Sequence, residues 1–579
     1  MSNEVSTPSN NTPPLMTRDE AVSYLIENDP RFAVTEENIR GIPHRVFKNT
    51  PVHLRELIQR TKDNYITDGA EKDVLVYQQE RWSYDDFCHE IKSIAHALTH
   101  QLNVKAGDRV AIAMRNYPEL PMLLLAITSI GAIAVPLNAW WTTEELEYAI
   151  GDSEAKVVFA DKPRYLNIDP IKKALDLTLI AVRDYEGDGE GEIKYRELLN
   201  RADGSEWSDV EIDTDQDFAI IYSSGSTGHP KGVALTHRSA IAAVYSWIFA
   251  RVAGPLMEPP KDKAPLAPSW LIITPLFHVT ALQANFLQGL ALGAKISLMF
   301  KWDANDAVDI VNREQVTRVS GVPTQSAELM EAAVARGETL PSLEGLVSGG
   351  AKRPAAQVGQ QAAVFPNAQI SAGWGMTETN ALGLSIIGQV YLDNPESAGR
   401  VIPPLQEARI VDDNGIDVKQ GDIGELLIKG ANTMRCYLNK PEATAESLKD
   451  GWLYTGDLAR QDEEGLYYIV DRKKSIIIRG GENVSCLEVE GAIHQHPHVA
   501  EACVFSIPDE RLGEIIGAAI QPKQGKPLEA DELATFLKDH LASFKIPERY
   551  WFMNEPLPRG ATDKIERKVI RANYLEKYM

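Results

Sequence analysis

Cysteine is scarce in this chain: four in 579 residues (Cys88, Cys436, Cys486, Cys503), too few and too scattered for a disulfide framework. A reducing, cytoplasmic setting is the expectation, with loose membrane association as the variant. Positive charge is in deficit, with 59 Lys+Arg against 82 Asp+Glu and a formal net charge of −23. A general binder of nucleic acid or anionic lipid needs a basic face, so both classes are excluded, although a local basic pocket for a phosphate is not. The start lacks a basic segment followed by an apolar run; residues 1–16 read as a disordered tail rich in Ser, Asn, Thr and Pro. No internal repeat is visible. An unbroken membrane-length run is missing too. Leu120–Thr143 carries no charge, but Pro121, Gly131 and Pro136 interrupt it. A buried helix over Met122–Ile130 and a buried strand over Ala132–Pro136 are expected there, and no transmembrane span.

What remains is ordinary globular material, 44% hydrophobic and 24% charged, which rules out collagen, coiled coil and wholesale disorder. From about Asp108, short apolar runs alternate with longer helical patterns. Strands are expected at Asp108–Met114, Ala155–Ala160, Leu271–Thr274, Ala294–Phe300, Arg318–Val322 and Gly345–Val347, with helices at Leu120–Ile130 and Thr236–Ala250. That alternation argues for α/β layers around largely parallel sheet, with ligands at the carboxyl ends of the strands. After about Leu405, short strands (Glu407–Val411, Gly424–Lys429, Tyr467–Val470) separated by Asp/Gly turns suggest an antiparallel, barrel-like section. From Lys474 onward, about a hundred residues read as one small α+β domain. The expected organisation is a tail (1–16), a large N-terminal domain of layered α/β subdomains plus the barrel-like section (17–473), and a small mobile C-terminal domain (474–579).

Two decoys carry little. The acidic stretch Asp184–Glu192 half-resembles a calcium loop, but Tyr195 stands where a bidentate Glu is needed, so a solvated turn is expected. His494, His496 and His498 read as loop histidines.

The strongest local signal is Ile221-Tyr-Ser-Ser-Gly-Ser-Thr-Gly-His-Pro-Lys-Gly232, read as a loop between the apolar stretch Phe218–Tyr222 and a helix at Thr236. Ser223, Ser224, Ser226 and Thr227 supply hydroxyls, Gly225, Gly228 and Gly232 allow close backbone approach, and Lys231 supplies charge: a cradle for a phosphate. It is not a Walker A loop, because Pro230 precedes the lysine and no Ser/Thr follows it. A second segment, Gly373-Trp-Gly-Met-Thr-Glu-Thr379, follows the strand end Ala368–Ile370. Thr377 can donate to a phosphate oxygen and Glu378 can hold Mg²⁺ as a hard oxygen ligand. Chemistry alone leaves this segment open to a structural-turn reading.

With these residues and three further segments in order, the sequence resembles the adenylate-forming enzymes, a superfamily that includes acyl-CoA synthetases, peptide-synthetase adenylation domains and beetle luciferase. The match runs over nearly the whole chain after the first fifty residues or so. The resemblance implies that Ser223, Ser224, Gly225, Ser226, Thr227, Gly228 and Lys231 hold ATP phosphates. It implies that Gly349, Gly350 and Ala351, after Ser348, lie against adenine, with Gly373, Trp374 and Gly375 also at the nucleotide. It makes Asp457 and Arg472 ribose contacts, Glu378 the Mg²⁺ ligand and Lys474 the hinge. Gly480, Gly481 and Glu482 would border the channel for CoA. Lys564, in Leu557-Pro-Arg-Gly-Ala-Thr-Asp-Lys564, matches the catalytic lysine, although Asp563 replaces the usual glycine. Catalysis would then rest on Lys564, Thr377 and Glu378. His278, in Pro275-Leu-Phe-His-Val-Thr280, would border the acyl site together with Ala281, Leu282, Gly349, Trp374 and Met376.

The implied activity is an ATP- and Mg²⁺-dependent ligation of a carboxylic acid to CoA through an acyl-adenylate. A medium- to long-chain fatty acid is the favoured substrate. Leu282 stands where some long-chain enzymes carry a gating Trp, which weighs against a long chain; an aryl or alicyclic acid is the runner-up. The chain ends fifteen residues after Lys564, so free CoA is expected as acceptor rather than a carrier domain. The rivals are an adenylation unit, an acyl-AMP synthetase without thioester activity, and a non-catalytic nucleotide sensor. A homodimer is left open.

Overall fold

The structure, a computed structural model, describes residues 15–65, 72–183, 193–223, 230–258, 266–479, 482–560 and 563–578. Two large sheets carry its first part. The first has eight strands in the order Cys436–Tyr437, Lys231–Thr236, Asp217–Ser223, Ile133–Pro136, Arg109–Ala113, Val157–Asp161, Thr178–Val182 and Ile193–Lys194. It is parallel from Asp217–Ser223 outward to Ile193–Lys194. The second has nine strands. Its parallel centre runs Gln369–Trp374, Gly345–Gly349, Arg318–Gly321, Ser269–Ile272, Lys295–Leu298, Asp73–Tyr77.

The uncharged stretch after Leu120 is what unites the sheets. Helix Glu119–Ser129 is apolar almost all round, and every one of its residues is buried, as such a helix must be. It joins Tyr84–His100 and His237–Met257 in one core with Val110 and Ile112 of the first sheet and Leu75, Ile272 and Ile296 of the second. Gly131 ends it at φ +72, where a Cβ would sit 3.1 Å from the Ala106 Cβ. The chain then enters strand Ile133–Pro136, so the expected helix-then-strand reading holds within a few residues. Among the described residues one helix, His237–Met257, is long and apolar enough to cross a membrane by length and composition; its apolar window is half buried inside the protein.

The antiparallel section expected after Leu405 is a five-stranded sheet: Glu407–Val411, Gly424–Lys429, Trp452–Gln461 and Leu448–Lys449, with Tyr467–Arg472 added on Trp452–Gln461. The C-terminal part has its own five-stranded sheet around Val499–Asp509 and Gly513–Pro522. Helices Cys486–Ile493 and Ala530–Leu537 cover one face and Arg567–Tyr578 the other.

One expectation is corrected. The Ser/Gly-rich loop does not lead directly into a helix. After Pro230 comes a second strand, Lys231–Thr236, antiparallel to Asp217–Ser223 with Ser223 opposite Lys231; only then does Thr236 cap helix His237–Met257. Val233, Leu235 and Thr236 favour strand, and Pro230 blocks helix before them.

The carboxyl ends of the two sheets are tied together by Asn116, which follows strand Arg109–Ala113. Its Nδ2 donates to the Thr274 carbonyl at 2.9 Å and its Oδ1 accepts from the Leu276 amide at 2.8 Å. Asn116→Ala is expected to leave both buried backbone groups unpaired, costing about 1–3 kcal/mol for each, and to lower the thermal midpoint measured by calorimetry.

Candidate active site

Strand Gln369–Trp374 runs further than its apolar start suggests and carries Gly373 and Trp374 to its carboxyl end, with Gly349 paired to Gly373 on the neighbouring strand. Beyond it the chain folds back sharply. Met376 N donates to the Thr379 Oγ1 at 3.1 Å, the Ala381 amide to the Met376 carbonyl at 2.8 Å, and Asn380 and Ala381 adopt φ +54 and +65. Gly375 makes this possible, since a Cβ there would lie 2.2 Å from the Ala381 carbonyl oxygen. The result is a buried turn, Thr377–Thr379, with Thr377 and Glu378 inside it.

Glu378 is held from the segment that follows the antiparallel sheet's second strand. Met434 N donates to its carbonyl at 2.7 Å, and the Tyr437 hydroxyl donates to its Oε1 at 2.7 Å. Neither Tyr437 nor this linkage was legible in the sequence; a tyrosine in Arg435-Cys436-Tyr437 carries no signal by itself. Glu378 has no cationic partner among the described residues. A buried carboxylate left without a cation suits a hard divalent ion, so the residues present fit Mg²⁺ at Glu378. The Lys231 ammonium lies 4.6 Å from the centre of the Tyr437 ring. Ser224, Gly225, Ser226, Thr227 and Gly228 lie outside the described residues.

Asp457 is 2% exposed, and both its oxygens are engaged: Oδ2 accepts from the Trp374 indole at 2.9 Å and Oδ1 faces the Arg472 Nε at 3.0 Å. Burial raises its pKa, while the guanidinium and the indole bond oppose that shift. Each oxygen keeps a further lone pair for a ligand hydroxyl. Ser348, at the start of the glycine turn, is buried against Ser326 at 3.1 Å and accepts from Arg353.

Lys564 reaches this site from the C-terminal part. Its Cε would be 2.9 Å, and its Nζ 3.3 Å, from a Cβ on Gly350, which sits at φ +80. The lysine thus lies against bare backbone beside the loop Gly349-Gly350-Ala351. Its own loop is strongly braced. Gly560 N donates to the Lys564 carbonyl at 2.8 Å, Asp563 N to the Gly560 carbonyl at 2.9 Å, and Arg559 Nη1 to the Asp563 carbonyl at 2.5 Å, while Arg559 also pairs with Glu501. Asp563 stands at φ +60. The left-handed conformation that suits a glycine is retained, and these bonds hold an aspartate in it.

The side chain of Lys564 is open to the cleft, yet the surrounding protein, with Arg472 next, lowers its pKa to about 8 against the pull of Asp457. Water in the cleft screens part of that effect. His278 is half-buried beside it. Burial first, and then the lysine's charge, takes the imidazole down to about 3, so it is neutral near pH 7. Of the other expected acyl-site residues, Met376 is half-buried, whereas Ala281 and Leu282 are closed into the main core at 0% exposure.

The segment between the two parts is anchored on both sides. Lys473 faces Asp413 at 2.7 Å and Glu425 at 3.2 Å, and Asp471 accepts from Ser485 Oγ at 2.9 Å and from the Leu487 amide at 3.1 Å. Lys474 follows in the turn Lys473–Ser475, its side chain outside the described residues, as are Gly480 and Gly481; Glu482 is exposed on strand Glu482–Ser485.

Known proteins resemble this chain over most of its length. The AMP-binding enzyme profile matches residues 64–438, and that of the AMP-binding enzyme C-terminal domain matches 488–564. The chain belongs to the AMP-binding enzyme family. A long-chain-fatty-acid–CoA ligase of Bacillus subtilis (strain 168) is 29% identical over 556 residues, covering 90% of this chain and 96% of the relative. An indoleacetate–CoA ligase of Aromatoleum aromaticum is 32% identical over 505 residues, covering 86% and 94%. Among solved structures, O-succinylbenzoate coenzyme A synthetase from Bacillus subtilis, in complex with ATP and magnesium ion, superposes with a TM-score of 0.74 at 27% identity, covering 89% of this chain and 99% of that one. This AMP-binding enzyme is an AMP-forming acid–CoA ligase.

Because the ammonium of Lys564 is the charged form that is lost as pH rises, kcat/KM for ATP in pyrophosphate release should fall as pH passes about 8. Lys564→Arg, which stays charged, is expected to remove that limb from the measured pH profile whatever its absolute rate.

Proposed function

We propose that this ligase activates a medium- to long-chain fatty acid, with Lys564, Thr377 and Glu378 in the first step and a hinge at Lys474 dividing a large domain (17–473) from a small one (474–579). The observation that carries the reading is the arrival of Lys564 at Gly350, beside Asp457 and Arg472, from the opposite end of the chain.

In the first step a carboxylate oxygen attacks the α-phosphorus of ATP, and the bond to pyrophosphate breaks. Both reactants are anions, so positive charge decides the barrier. Lys564 donates to the oxygens on which charge accumulates, and Thr377 offers a hydroxyl to the same phosphate. Glu378 would hold Mg²⁺, which supplies Lewis-acid charge neutralisation when bound. Lys231 and the Ser223–Gly228 loop hold the outgoing phosphates; Gly349, Gly350, Ala351, Gly373, Trp374 and Gly375 frame the base. Asp457 and Arg472 take the ribose. In the second step a CoA thiol sulfur attacks the acyl carbon, AMP leaves, and the thiol proton passes to solvent. Gly480, Gly481 and Glu482 would border the thiol's path once the small domain turns.

The lack of charge on two bordering side chains supports the fatty-acid reading. Met376 and the neutral His278 border the site, and no cationic side chain among those assigned to the acyl site offers a partner for a second carboxylate. An aryl acid is the second reading, favoured by the indoleacetate–CoA ligase relative. A panel of carboxylic acids assayed by AMP release decides between them: an aryl acid giving the highest kcat/KM overturns the first reading.

Lys564→Ala is expected to lower acyl-adenylate formation on the order of 10²–10³-fold while leaving thioester formation from supplied adenylate largely intact. Single-turnover assays of each half-reaction check this; equal losses contradict the division of labour.

A further inference from the structure

Two oppositely charged groups of the site, Lys231 at the start of a strand and Glu378 in the buried turn Thr377–Thr379, reach it from different elements, and neither forms an ion pair among the described residues. Both instead contact one side chain. The Tyr437 hydroxyl donates to Glu378 Oε1 at 2.7 Å, and the Tyr437 ring centre lies 4.6 Å from the Lys231 Nζ. An ammonium and a carboxylate with nothing between them collapse onto each other, and in a half-dry site that attraction is several times its value in water. Such a collapsed pair would offer neither its charge to a phosphate nor its oxygen to a metal.

We propose that Tyr437 is a positioning residue that keeps Lys231 and Glu378 apart and aimed, the ring holding the ammonium and the hydroxyl fixing the carboxylate, so that the phosphate and metal groups of the nucleotide meet two unspent charges.

The placement of Tyr437 fits this task. It lies on the short edge strand Cys436–Tyr437, opposite Val233 of the strand that starts with Lys231, so backbone pairing sets the spacing between ring and ammonium. Its amide donates to Thr444 Oγ1 at 3.0 Å, and the Arg435 and Leu438 amides donate to the Ala234 and Gly232 carbonyls at 2.9 and 2.7 Å. A side chain fixed this way loses little further freedom when it orients two others. Tyr437 is a buried member of the main core, yet its ring also faces a cation and its polar end an anion.

The inference rests on the proposed Mg²⁺ role of Glu378, and the test separates the two. Equilibrium dialysis of ATP, with Mn²⁺ or metal-free and with no acid present, is compared with pyrophosphate release over a Mg²⁺ series. Tyr437→Phe keeps the ring and drops the hydroxyl. It is expected to weaken binding of Mn²⁺–ATP, and to raise the Mg²⁺ needed for half-maximal rate, on the order of tenfold, while metal-free ATP binding and the KM for the acid stay unchanged. Tyr437→Leu, which loses both contacts, is expected also to weaken metal-free ATP binding several-fold, an effect absent when Lys231 is already Ala. Equal change in every parameter for Tyr437→Phe, including the acid KM, would show a merely structural role and overturn the proposal. So would unchanged Mn²⁺ and Mg²⁺ dependence in Tyr437→Phe when Glu378→Gln shifts both. If Glu378→Gln shifts neither, the metal assignment itself fails.

Discussion

Charge repulsion between two anionic reactants is the constraint around which this enzyme is arranged. A carboxylate and a triphosphate have to come within bonding distance, in a protein that is itself strongly acidic. The cations that the proposed mechanism enlists are Lys231 on a strand of the first sheet, Arg472 at the end of the antiparallel sheet, and Lys564 from the small C-terminal part. None is locked into a bidentate pair that would consume its charge. Arg472 touches Asp457 through one nitrogen, Lys231 rests on an aromatic face, and Lys564 lies against glycine backbone.

The fold serves this by bringing carboxyl ends together. Parallel strands deliver Asn116 from one sheet and Gly349, Gly373 and Trp374 from the other, and helix Glu119–Ser129 fixes the distance between sheets. Asn116 bonds to the loop that leads to His278, so that loop is registered against the opposite sheet.

Much of this was legible in the residues. The alternation of apolar runs and helical patterns gave the parallel sheets to within a few residues, because buried strands of such sheets are continuously apolar. The order of the five motifs pointed to the family. What escaped was of two kinds. The strand Lys231–Thr236 was hidden because a loop followed by six residues and then a helix looks, in one dimension, like a loop entering that helix; only pairing with Asp217–Ser223 distinguishes them. Tyr437 and Asn116 escaped because their importance is relational. A lone tyrosine or asparagine acquires meaning from what stands across from it, 59 and 160 residues away for their contacts with Glu378 and Leu276. Ala281 and Leu282 show the converse: sequence proximity to His278 suggested the acyl wall, while the helical turn that follows points them into the core.

The bracing of the Lys564 loop has a mechanical meaning. Its carbonyl is fixed to Gly560, its neighbour to Arg559, and Arg559 to Glu501 on the small sheet, so the backbone that carries the lysine is tied to that body. Any swing of the body would carry the base of that side chain with it. Engagement and withdrawal of the ammonium would then work like a ratchet pawl, set by one pivot and not by the wandering of a single side chain.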